Sequence, residues 1–102
     1  MAGQRDEIAA VFAANLSHHR KRLGISQERL AYLAGLHRTE IGLLEGAQRV
    51  PGIDTVVKLA SSLLVEPKEL LEGITWLPSS DQPGGDFHCQ DPRRPAGRSD
   101  TR

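Results

Sequence analysis

ISQERLAYLAGLHRTEIGLLE, residues 25–45, decides how the rest of this chain is read. Ser26 carries a hydroxyl that can accept a bond from an orphan amide of a first helical turn, so a helix begins there. Leu30, Leu33 and Ala34 then recur at helical spacing and form one apolar face. Gly35 supplies the left-handed residue on which a helix ends at low cost. Beyond the turn, Leu36 and Ile41 are spaced as a hydrophobic staple if His37 is the N-cap of a second helix. Ile41 and Leu44 then face inward together, and Arg38, Thr39, Gly42 and Leu43 are left facing out.

Working outward, the same order of elements continues on both sides. The run RKRLGISQ (20–27) leads into LAYLAGL (30–36), IGLLEGAQRVP (41–51), TVVKLASSLLV (55–65) and KELLEG (68–73). On these residues the chain resembles the lambdoid repressor and Cro-type helix-turn-helix (XRE) family, over about residues 16–73. The likeness is specific because several elements agree in order and spacing. It implies an all-α, five-helix lambda-repressor-like bundle over residues 8–73, with the helix-turn-helix at about 26–45. It also implies double-stranded DNA as partner and a homodimer, at least on DNA, reading two half-sites about one helical turn, ~34–36 Å, apart.

Composition is compatible with this. The chain has 102 residues and is 38% hydrophobic but only 4% aromatic, so a core must rest on Leu, Ile, Val and Ala, as in a small helical bundle. No apolar run approaches the ~20 residues that span a bilayer, and the N-terminus lacks a basic-then-apolar signal, so a cytoplasmic location is expected. One cysteine, Cys89, excludes an internal disulfide, and the four histidines lack ligand spacing, so neither metal nor cofactor is expected. No nucleophile–base set and no Gly-rich phosphate loop points to an enzyme. A net charge of zero is a poor footprint for nucleic acid, but its distribution is uneven. Arg20, Lys21, Arg22, Arg29, Arg38 and Arg49 make one end mildly basic, whereas Asp54, Glu66, Glu69 and Glu72 make the other acidic. The weak field predicts modest non-specific affinity and a shallow salt dependence.

In chain order, a first helix is expected from about residue 8 to 23, with Ile8, Phe12, Leu16, Arg20 and Leu23 on one face. Arg20 in that row either snorkels to water or is buried in an ion pair with Glu45; the resemblance implies the pair, and we favour it. Gln27 opens the second helix, and by resemblance its amide bonds a DNA phosphate; otherwise it is a solvated first-turn residue. The third helix, 38–45, is the candidate reading helix. Arg38, Thr39 and Leu43 match the family's base-contacting positions: Arg38 can fork onto guanine, Thr39 can accept, donate or offer its methyl, and Leu43 can meet a thymine methyl or pack against a loop or second subunit. Gly42 either admits a close approach or is neutral. Glu40 can accept from cytosine or cap His37, and the cap is preferred. His37, where the family has Ser or Thr, can itself touch a phosphate, and Arg49 matches the family's backbone-gripping loop residue. A fourth helix over about 53–63 is expected to bury Val56, Val57, Ala60, Leu63 and Leu64, and a fifth over about 67–71 to add Leu70 and Leu71.

Residues 74–102 read as a mostly irregular extension. Within it 74–77 and 86–89 alternate and can pair as a short hairpin that puts Trp76 and Phe87 on apolar surface; the rest is expected to be disordered, and PRRPAGRSDTR (92–102) can brush phosphates. The function that follows is a sequence-specific transcriptional regulator, a repressor by expectation. The alternative is an antitoxin-like module that binds a partner protein through the bundle or the extension.

Overall fold

Five helices and a hairpin follow one another in the computed structural model, which describes residues 3–94. They are α1 (Gln4–Leu23), α2 (Gln27–Ala34), α3 (Arg38–Glu45), α4 (Ile53–Ser62), α5 (Pro67–Leu70), β1 (Ile74–Pro78) and β2 (Gly85–Cys89). The local punctuation works as expected. Ser26 Oγ accepts from the Arg29 amide at 3.0 Å, and His37 Nδ1 accepts from the Thr39 amide at 3.1 Å. Gly35 closes α2 at φ 68°, a value that costs an L side chain about 1–2 kcal/mol.

α1 joins the bundle to the hairpin. It packs against α3, α5 and β2, so buried residues occupy most of its circumference, from Ala9 and Phe12 to Leu16 and His19. It starts at Gln4, earlier than the apolar period suggests, because the Gly3 amide donates to Asp6 Oδ2 at 3.2 Å and Gln4 Nε2 donates to Asp86 of β2 at 3.3 Å. Phe12, Leu16, Leu30, Ile41, Leu44, Leu59 and Leu70 form the inaccessible centre.

Several expected core positions face water instead. In α2 the inner face is Leu30, Ala31 and Ala34, and Leu33 is exposed. In α4 the buried set is Val56, Leu59, Ala60 and, at the C-cap, Leu63, an i, i+3, i+4, i+7 row that leaves Val57 on the flank. Leu64 lies past the helix end at φ 62°, which turns its side chain outward to 80% exposure. Leu71 and Leu23, at helix ends, are also exposed.

The hairpin forms. β1 and β2 pair antiparallel with Trp76 opposite Phe87, their rings edge-to-face at 5.0 Å. A lone hairpin is marginal in water. This one rests on α1, Ile74 packs on the bundle core, and a polar link closes behind it. Asn15, with no exposed surface, donates through Nδ2 to the carbonyls of Leu70 and Glu72, both at 2.9 Å, and its Oδ1 accepts from Arg93. Gly73 makes the turn between α5 and β1 at φ 91°, where a Cβ would stand 2.0 Å from the Gln90 carbonyl oxygen. Gly73→Ala is therefore expected to open the hairpin base, at a cost above the ~1–2 kcal/mol of the left-handed backbone alone. Trp76, the sole tryptophan, reports it: its emission should shift to the red while helical circular dichroism is kept. Residues 95–102, which include most of the tail expected to be disordered and to reach phosphates, lie outside the described residues.

Candidate nucleic-acid interface

The outer side of α3, the start of α2 and the loop after α3 carry the residues singled out from sequence. Arg38 and Thr39 are exposed at the start of α3. Leu43 is half-buried, flanked by the exposed Gly42, at which an added Cβ would meet nothing within 4 Å. Packing in the free protein thus gives no reason for a glycine there. His37 spends Nδ1 on the Thr39 amide, which sets the neutral ring as the Nε2–H tautomer.

The structure brings the remaining residues together in pairs. Arg20 and Glu45 meet through two hydrogen bonds, Nε to Oε2 at 2.6 Å and Nη2 to Oε1 at 3.0 Å, with side-chain exposures of 13% and 8%. The remaining Nη1 donates to the Ile25 carbonyl at 2.8 Å, so α1, the turn and α3 share one guanidinium. The hydrogen bond to Glu45 raises the Arg20 pKa above its ordinary value, outweighing the burial that lowers it. Gln27 joins this cluster: its Nε2 donates to Glu45 Oε1 at 3.1 Å. The start of α2 is thereby tied to the end of α3.

Two further pairs carried no sequence signal. Arg38 lies 3.4 Å from Glu28, both well exposed and so weakly coupled. Arg49 is paired with Glu40. Glu40 therefore serves the loop rather than capping His37, as sequence spacing suggested. The geometry explains it: the chain turns back through Ala47 at φ 59°, returning Arg49 to the first turn of α3. No local spacing rule connects residues 40 and 49.

A short helix with an exposed polar outer side, packed on the helix before it across a tight turn, is a helix-turn-helix. The helix-turn-helix family HTH_3 matches residues 18–70. The chain belongs to this family. It is a DNA-binding transcriptional regulator, as the lambdoid repressor and Cro-type resemblance implied. The control protein C.SmaI of Serratia marcescens is 37% identical over 65 residues, 64% of this chain and 77% of that protein. Among solved structures, the restriction-modification controller protein C.AhdI from Aeromonas hydrophila superposes with TM-score 0.60 at 40% identity, covering 61% of this chain and 94% of its own. The P22 c2 repressor protein, in complex with synthetic operator 9T, gives TM-score 0.58 at 25% identity over 62% of this chain and 96% of its own. These matches cover the HTH_3 bundle, not the whole chain. Among the described residues no cluster of His, Cys, Asp or Glu could hold a metal ion, and no helix is long and apolar enough to cross a membrane.

Proposed function

We propose that this helix-turn-helix protein acts as a homodimeric repressor that inserts α3 into the major groove and regulates a neighbouring gene set, in the manner of the restriction-modification controllers it resembles. The observation that carries this reading is the outer side of α3, where Arg38 and Thr39 stand exposed on a helix anchored from behind. Arg38 forks onto guanine O6 and N7, Thr39 reads an adjacent base, and Leu43 meets a thymine methyl. Around them Gln27, Arg49 and His37 take phosphates. Each has a donor to give: a primary amide has two N–H groups, a guanidinium five, and the His37 tautomer points its remaining N–H away from the cap. Residues 8–73 form the DNA-binding domain, and 74–102 an extension whose Trp76 region, with α5, supplies dimer contacts.

Binding-site selection from a random duplex library, followed by mobility-shift titration, tests this. Arg38→Ala is expected to lose about 1–3 kcal/mol of discrimination at one base pair of each half-site. Arg49→Gln is expected to weaken binding of the selected site and to make the salt slope measured on it shallower by about 1. A selected site with no two-fold symmetry, or an Arg38→Ala protein with unchanged base preference, would refute the assignment.

A further inference from the structure

We propose that Glu40 is a specificity-determining residue: it holds Arg49 back from the phosphate backbone unless a cytosine amino group takes the arginine's place. The inference rests on the reading above, in which Arg49 grips a phosphate.

α3 presents two carboxylates. Glu45 is occupied by Arg20 and Gln27 on the inner side. Glu40 stands on the first turn, between the outward Thr39 and the buried Ile41, with its side chain 24% exposed and, among the described residues, its charge matched by Arg49 alone. Arg49 cannot bond a phosphate fully without loosening this pair. Once loosened, a bare carboxylate faces a polyanion. On arbitrary sequence nothing compensates it, and docking is penalised. Where a cytosine lies within reach, its N4 amino group donates to the carboxylate, and the exchange is complete: Arg49 to phosphate, Glu40 to base. Glu28 beside Arg38 has the same sense but is too exposed and too distant to match it. The zero net charge of the chain thus has a local counterpart, a reading surface whose cations are neutralised until the right duplex arrives.

The full chain, its Glu40→Gln and Glu40→Ala variants, and Arg49→Gln are titrated across salt against a random-sequence duplex and passed through binding-site selection. Both Glu40 variants are expected to bind the random duplex about five- to tenfold tighter near 0.1 M salt, with a slope steeper by about 1. Glu40→Ala is expected to lose a cytosine preference that the parent shows once per half-site. Unchanged or weaker binding of the random duplex by both variants overturns the proposal, as does an identical base preference at every position. An Arg49→Gln protein whose salt slope on the selected site is unaltered overturns instead the phosphate reading on which the proposal stands.

Discussion

Glu45→Ala is expected to lower the unfolding free energy by about 3–5 kcal/mol. The substitution strips Arg20 of both its carboxylate bonds and leaves a guanidinium, 13% exposed, with one carbonyl as partner. Breaking a buried pair in this way costs about 3–5 kcal/mol, because the surviving charge is neither hydrated nor compensated. A small bundle has about 5–15 kcal/mol to lose, so this is a large share. Little of the interaction is screened, since neither partner is as much as one-fifth exposed. Urea denaturation of Glu45→Ala, Arg20→Ala and the double variant measures it. The two single changes should each be costly and the double little worse than either. Strictly additive losses would mean that the two side chains act independently, contrary to the geometry.

A comparable loss is expected from Asn15→Leu, although the change adds apolar bulk and removes a polar group from the core. Asn15 has 0% exposure, and its amide holds the carbonyls of Leu70 and Glu72 while its oxygen receives Arg93. Leucine is close in size but satisfies none of them: the buried Leu70 carbonyl is orphaned at about 1–3 kcal/mol, the part-buried Glu72 carbonyl adds to this, and, among the described residues, Arg93 keeps only Asp91. The urea midpoint should fall with little change in slope, and Trp76 emission should change with it because the lost bonds lie behind the hairpin. Retention of the parent midpoint would show that water replaces the amide without penalty.

Asn15 also marks where sequence reading stops. Its partners lie 55 to 78 positions along the chain, and nothing in the surrounding AANLSHH distinguishes a core amide from a surface one. The Glu40–Arg49 pair is hidden for the same reason, since it depends on a loop geometry that no spacing rule describes. Features decided within a few residues were legible. Ser26, Gly35 and His37 cap the helices they were expected to cap, because capping is a contact between near neighbours. The hairpin was legible from alternation in two short runs. Facing was intermediate. Leu33, Val57 and Leu64 fit an apolar period equally well inside or out, and only packing decides between adjacent positions of a wide stripe. The outward side of α3 was legible at Arg38 and Thr39; at Leu43 the sequence left base contact and packing open, and the side chain is half-buried.

The bond from Gln27 to Glu45 has a thermodynamic corollary. With the first turn of one helix fastened to the last turn of the next, no segment of the reading unit has to acquire structure when it meets a duplex. Calorimetry of complex formation should then show a modest negative heat-capacity change set by the contact area alone, without the added component of coupled folding. The entropy of ordering those two helices is lost when the chain folds, not when it docks.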